Sequence, residues 1–242
     1  RPPETTLTGL QLRANGLYNV YNATAALAAI FEEARTNAAL PHAVDHELLR
    51  TKLATFAGVK RRFDYIVDRD DLIYIDDYAH HPEEMRSFVT AVRKIYPDKQ
   101  ICGVFQPHLF SRTQDFAQDF ADVLSLLDEV ILLPIYPARE KPIPGITSEY
   151  LLSLMHSANK RVLQKEELFP YLQTHKPDIL LTIGAGDIDR LIPNFTSSLS
   201  TLNSQLSTLN SQPQDLLHPH GVLRSVDADA LVVRADDRDL RA

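Results

Sequence analysis

The stretch "DDYAHHPEEM" at residues 76–85 sets two carboxylates, a phenol and two imidazoles side by side, followed by a proline. Side chains of these types suit three chemistries: holding a metal ion, passing a proton, or clamping a charged ligand. Pro82 fits the first position of a helix, where a backbone N–H has no intrahelical partner anyway. A helix N-terminus favours anions, and imidazole or guanidinium groups beside it strengthen that preference. Arg112, further along, can grip a carboxylate with two parallel hydrogen bonds. A carboxylate clamp built from His80, His81 and Arg112 is the economical reading. Metal binding is the rival, although adjacent histidines point in different directions on most backbones and chelate poorly. Asp76 and Asp77 suit either helix caps or acceptors for a ribose hydroxyl.

Two more polar clusters follow apolar runs. Gln106, His108, Ser111 and Arg112 come after "ICGVF", and Gly184, Gly186 and Asp187 come after "ILLTI". Each alone reads as a helix cap. Three such clusters at strand ends of one sheet would converge on one rim, where doubly wound sheets bind ligands. Upstream, Lys60, Arg61 and Arg62 in "GVKRRFD" read either as a solvated basic turn or as a phosphate contact. Asn19 and Asn22 share a helix face near its start. They suit capping, or presenting amide edges to a base or ribose.

The elements that must position these groups follow from periodicity. Residues 16–35 form an alanine-rich helix with Val20, Leu27 and Ile30 close to one face. "VDHELLRTKLATF" is a second helix with Asp45 as its N-cap, and Gly58 breaks the chain after it. "FDYIVDRDDLIYID" gives two strands joined by an acidic turn from Asp68 to Asp71. A helix from Pro82 to about Tyr96 turns Met85, Phe88, Val89 and Val92 inward. "QICGVFQ" is a buried strand, and residues 111–127 form one helix carrying Phe116, Phe120, Val123 and Leu127. "EVILLPIY" is a strand, Thr147 to about His156 a helix, and "DILLTIG" a strand. Apolar runs alternating with helices indicate parallel strands buried on both faces. The expected fold is α/β: a Rossmann-like, mostly parallel sheet with helices on both faces. After it, "LSTLNSQLSTLNSQ" at residues 199–212 repeats a seven-residue unit too polar for a coiled coil and reads as a disordered linker. The final segment predicts one short strand near Leu231 to Val233.

Composition narrows the function classes. The 242 residues, 44% hydrophobic and 24% charged, suit a soluble globular protein of one or two domains. No run approaches the roughly 20 apolar residues of a membrane span, and the first residues are not a signal peptide. A net charge of −7 argues against nucleic acid as partner. The one cysteine, Cys102, excludes an internal disulfide framework and, inside an apolar strand, should be inert. No GxxxxGK[ST] phosphate loop, GxGxxG after a strand or GxSxG elbow occurs.

Six segments, "GLYNVYNATAALAAI", "GVKRRFD", "IDDYAHHPEE", "FQPHLFSRTQDF", "YPAREKPIPGITSEYL" and "LLTIGAGDI", occur in the order that resembles the C-terminal half of the Mur ligase family. The resemblance covers roughly residues 1–193 and is strongest with the branch that adds L-alanine to UDP-N-acetylmuramate. It implies that residues 1–57 are the end of the central ATP-binding domain and 58–195 the C-terminal domain, leaving 196–242 as linker and unassigned tail. It further implies a cytoplasmic, ADP-forming amide ligase working through an acyl phosphate, with ATP and Mg2+. The Mg2+ ligands would lie mainly outside these residues, and without a phosphate loop the chain alone should be inactive. Residue by residue, Asn19, Asn22, Arg62 and Asp77 would bind ATP. Tyr78, His80, His108 and Arg112 would hold L-alanine, with His80 and Arg112 the catalytic pair and no metal ligand among them. The chain departs from the family pattern at Tyr18, where histidine is usual, and at Ala79, where glycine is frequent. It departs again at Leu109, Phe110 and Ser111, where Arg-Tyr-Thr is usual, so Leu109 lacks a charge. The alternatives are a non-catalytic nucleotide or amino-acid binding module, and the related ligase that recycles a tripeptide onto the same sugar.

Overall fold

A computed structural model describes residues 6–14, 16–37, 39, 44–193 and 231–232. The chain divides into two compact units, Arg1–Gly58 with Leu216–Ala242, and Val59–Asp215. The first contains β1 (Thr6–Leu7), α1 (Leu17–Thr36) and α2 (His46–Thr55). Asp45 caps α2 as expected, its Oδ1 accepting from the N–H groups of Glu47 and Leu48 at 3.0 and 2.9 Å. On α1, Leu27 is buried and Val20 half-buried, but Ile30 is exposed, so the expected apolar stripe is only partly covered.

The second unit opens with an antiparallel hairpin of β2 (Asp64–Arg69) and β3 (Leu72–Asp77). Its turn is tighter than expected: Asp68 stays in the strand, and Arg69 closes the bend by pairing with Asp71 at 2.8 Å. Then follow α3 (Pro82–Ile95), β4 (Ile101–Phe105), α4 (Phe110–Asp115), α5 (Ala117–Leu124) and β5 (Glu129–Leu132). The unit continues through α6 (Ser148–Leu154), β6 (Lys160–Val162), α7 (Lys165–Thr174), β7 (Ile179–Ile183) and a 3-10 turn at Ile188–Leu191. The six strands lie in the order β2-β3-β7-β4-β5-β6, all parallel but β2. This is the expected mostly parallel α/β sheet. Every residue of β4 and β7 is buried, which is why both read as unbroken apolar runs.

Helices cover both faces. Leu168 and Leu172 of α7 join Tyr74, Cys102, Val104 and Leu180 in one core cluster. On the other face Phe120 of α5 meets Phe105 at 5.3 Å between ring centres, and α5 packs on α3. The inward residues of α3 are those expected, Met85, Phe88, Val89 and Val92. The single helix expected over 111–127 is broken instead. Phe116 leaves the helical region at φ −118°, ψ 21°, and its ring packs against His81 at 4.7 Å. β6 and α7 were not anticipated: β6 is short and polar at the sheet edge, and α7 carries Pro170 inside it. The short tail strand is present as β8 (Leu231–Val232), pairing antiparallel with β1. The seven-residue repeat lies outside the described residues. Among those residues no helix is long and apolar enough to cross a membrane.

Phe88 is fully buried and meets the Phe63 ring edge-on at 5.3 Å. Phe88→Ala should lower the unfolding free energy of the second unit by about 3–5 kcal/mol, read as a drop in the urea midpoint at unchanged slope.

Candidate functional site

The C-terminal ends of β3, β7 and β4 are neighbours, so the three polar clusters share one rim. Tyr78 leaves β3 exposed at 41%, with its N–H donating to the Arg61 carbonyl at 2.7 Å. Its ring meets His80 edge-on at 5.3 Å, and His80 lies 6.3 Å from His108. His108 in turn stacks on Tyr136 at 5.7 Å. Arg112, four residues after His108, brings Nη1 to 3.4 Å from His108 Nδ1. Tyr78, His80, His108 and Arg112 therefore stand together. His81 does not join them, because its ring turns to Phe116, which narrows the sequence-based clamp to one of the two histidines. Glu84 steadies the turn, accepting from the N–H groups of His80 and His81 at 3.1 and 3.3 Å.

The two aspartates are spent inside the protein. Asp77 is buried, and its Oδ2 and Oδ1 accept from the N–H groups of Phe63 and Ala79, both at 2.8 Å. Asp76 is fully buried and accepts from Thr182 Oγ1 at 2.6 Å and from Arg61 Nε at 2.9 Å. It is therefore neither a helix cap nor a ribose acceptor. Burial raises its pKa, opposed by the Thr182 hydroxyl and the Arg61 guanidinium. Arg61 is no solvated turn residue either: its side chain is 18% exposed, and Nη2 donates to the Gly184 carbonyl at 2.6 Å. Arg62, beside it, is exposed. Asn19 and Asn22 belong to α1 of the first unit, with Asn22 exposed.

The glycines of the third cluster answer a packing demand. Gly184 sits at φ +137°, and a Cβ there would come within 2.6 Å of the Gln106 carbonyl oxygen. A Cβ on Gly186 would lie 2.3 Å from Gln106 Oε1. Gln106 Nε2 donates to Asp187 Oδ1 at 2.9 Å, and Asp187 also pairs with Lys165. Burial pushes the Asp187 pKa up, but Lys165 and Gln106 together bring it below the ordinary carboxylate range. Among the described residues no group of three or more His, Cys, Asp or Glu side chains could hold a metal ion.

Comparison with known proteins supplies the context. The family model described as "Mur ligase, glutamate ligase domain" matches residues 61–186. The chain belongs to the Mur ligase family. It is 49% identical over 189 residues to a UDP-N-acetylmuramate–L-alanine ligase of Cytophaga hutchinsonii, covering 78% of this chain and 38% of that protein. A protein of the same name from Porphyromonas gingivalis is 47% identical over 201 residues, covering 83% of this chain and 42% of the relative. Among solved structures, the UDP-N-acetylmuramate-alanine ligase of Thermotoga maritima superposes with a TM-score of 0.61 at 26% identity. That match covers 80% of this chain and 40% of the other. The chain thus spans about two fifths of the length of the relatives it matches.

Seen as a Mur ligase rim, the site includes residues whose roles the sequence did not disclose. Glu140 accepts from the Ser111 hydroxyl at 2.5 Å and from its N–H at 3.0 Å, fixing the start of the helix that bears Arg112. The Ser111 hydroxyl and then its N–H hold the Glu140 carboxyl below its ordinary range. Tyr136 backs His108. Tyr136 and Glu140 both lie in the "YPARE" stretch, but their partners His108 and Ser111 are 28 and 29 positions away, and spacing carries no sign of that. Leu109 adopts φ +75°, a region leucine rarely occupies.

Burial, then the charges of Arg112 and His80, lower the pKa of His108, with Glu140 opposing. The folded ring therefore binds protons less readily than the unfolded one. The stability it contributes is present above the unfolded value of about 6.5 and is lost as pH falls below it. An NMR titration should place the His108 midpoint below that of a free histidine, and Arg112→Ala should move it upward. A midpoint unmoved by that substitution would contradict the assigned contact.

Proposed function

We propose that this chain is the amino-acid-binding and ATP-closing part of a cytoplasmic ligase joining L-alanine to UDP-N-acetylmuramate. The observation that carries the reading is the convergence of Tyr78, His80, His108 and Arg112 on one rim, beyond the strand ends. Residues 1–57 are then the end of the central ATP-binding domain and 58–195 the C-terminal domain. The curated relatives, similar over most of this chain, carry the name of that ligase.

In this reading the muramoyl carboxylate attacks the γ-phosphorus of ATP, giving an acyl phosphate and ADP. The alanine amine, having lost its proton, then attacks the acyl carbon, the C–O bond to phosphate breaks, and phosphate leaves. Positioning and charge neutralisation carry most of the catalysis. Arg112 grips the alanine carboxylate with its fork. His108, kept neutral and accepting from Arg112 at Nδ1, leaves an Nε2–H to donate. Tyr78 and His80 wall the opposite side. Arg62 in the second unit is the candidate phosphate contact, and Asn19 and Asn22 in the first are candidate adenosine contacts. Asp77, expected to contact ATP itself, is buried with both oxygens on backbone N–H groups, and so braces the loop before His80 instead. The sequence holds no phosphate loop, so that part of the active enzyme comes from other residues. Mg2+ would be held by the ATP phosphates and by carboxylates lying mainly outside these residues.

The test is steady-state kinetics of this chain joined to the N-terminal half of a relative such as the Cytophaga hutchinsonii ligase. Arg112→Ala should raise KM for L-alanine about 100-fold, the loss expected of a charge-assisted bidentate pair, and barely move KM for ATP. Arg62→Ala should do the reverse. A larger effect of Arg112→Ala on ATP sinks the clamp assignment. Firm use of an alanine-led tripeptide in place of L-alanine would assign the chain to the recycling branch.

A further inference from the structure

We propose that Arg61 is a positioning residue for the amino-acid clamp, acting through Tyr78. The inference rests on the reading of this rim as that clamp. The guanidinium is committed on three sides: Nε to Asp76 at 2.9 Å, Nη2 to the Gly184 carbonyl at 2.6 Å, and Nη1 3.8 Å from Asp189 Oδ2. With its edges fixed, its guanidinium carbon lies over the Tyr78 ring, 5.0 Å from the centre. The backbone of the same residue holds the same neighbour. Arg61 sits at φ +60°, its N–H donating to Asp64 Oδ2 at 3.1 Å while its carbonyl accepts from Tyr78. An L-residue in that conformation is strained, and persists where its surroundings over-determine it.

From Tyr78 a row of rings crosses the rim through His80 and His108 to Tyr136. The far end is pinned by backbone: Tyr136 donates to the Pro107 carbonyl at 2.8 Å and accepts from Leu109 N–H at 2.9 Å. At the near end Arg61 is the post. Tyr78 is exposed, so packing alone does not fix its ring. Lysine cannot replace arginine here. An ammonium has no flat face to stack and cannot reach the Asp76 carboxylate and the Gly184 carbonyl as a fork does.

The experiment is an NMR titration of the 242-residue chain with L-alanine, for the unaltered protein, Arg61→Lys, Tyr78→Leu and the double variant. Arg61→Lys and Tyr78→Leu should each weaken binding about tenfold, and the double should be within about twofold of Tyr78→Leu, since coupled residues are not additive. Additive losses, near 100-fold in the double, would mean that Arg61 acts on the whole unit rather than through Tyr78. That result overturns the proposal, as does unchanged binding by Arg61→Lys. Should the lysine variant not fold, Arg61→Gln, flat but uncharged, takes its place with the same expectation. If the unaltered chain binds no L-alanine, the clamp reading itself falls. The Tyr78 ring resonances then decide the positioning role: they must shift in Arg61→Lys, and resonances that stay put refute it.

Discussion

A carboxylate with no exposure to water governs how this rim is assembled. Burying Asp76 is unfavourable unless its charge is met, and here one oxygen faces a hydroxyl and the other a guanidinium. Removing a partner from such a pair costs about 3–5 kcal/mol in general, mostly for the charge left behind. The slight exposure of Arg61 puts this pair toward the lower end. The partners come from three separate segments: Arg61 before the sheet, Asp76 at the end of β3 and Thr182 in β7. Satisfying one carboxylate therefore fixes the register of the two strands and the path of the chain entering them. Tyr74 extends the network, its hydroxyl 3.2 Å from Thr182 Oγ1 and its pKa driven up by burial.

The strand order explains why these segments meet. β7, last in the sheet by sequence, inserts between β3 and β4, so its C-terminal loop lies at the centre of the rim. That position leaves no room for side chains where the chain leaves β7. Gly184 and Gly186 stand against Gln106, and their missing Cβ atoms let the loops after β4 and β7 close together. The glycines are too few for a phosphate-binding signal in sequence and act as a packing device in space. Gln106 and Asp187 then cross-brace the same two loops, with Lys165 reaching in from the start of α7.

What sequence disclosed and what it hid follow from range. The inward face of α3, the Asp45 cap and the buried strands rest on neighbours within one or two turns, where periodicity speaks directly. The clustering of Tyr78, His80, His108 and Arg112 was legible because parallel strands end on one side. The Arg61–Asp76–Thr182 contacts span 15 and 106 positions and obey no period, so Arg61 looked like one of three similar basic residues. The divergence of His80 and His81 was implicit in their adjacency, yet only the Phe116 ring shows which one leaves. That same ring explains the broken helix. A continuous α-helix satisfies the apolar pattern, but the bend brings Phe116 to His81 while Arg112 stays at the rim.

The electrostatics of the rim also suit the proposed chemistry. An amino acid that reacts through its amine must lose the ammonium proton before it attacks. Positive charge nearby favours that loss, whereas a carboxylate nearby opposes it. Most acidic groups around the clamp have partners inside the protein, Asp76 in Arg61, Asp77 in backbone N–H groups, Glu140 in Ser111 and Asp187 in Lys165, while Glu84 stands 3.5 Å from His80 Nδ1. Leu109, where the family usually carries an arginine, leaves Arg112 as the fork of this stretch, and its backbone at φ +75° stores strain beside His108. The clamp pairs one guanidinium with one imidazole of lowered pKa, and its nearest carboxylates are Glu84 beside His80 and Glu140 behind Ser111. In the proposed reading the buried Asp76 pair acts through Arg61 on Tyr78, and so sets the near end of the ring row that leads to His108 and Arg112.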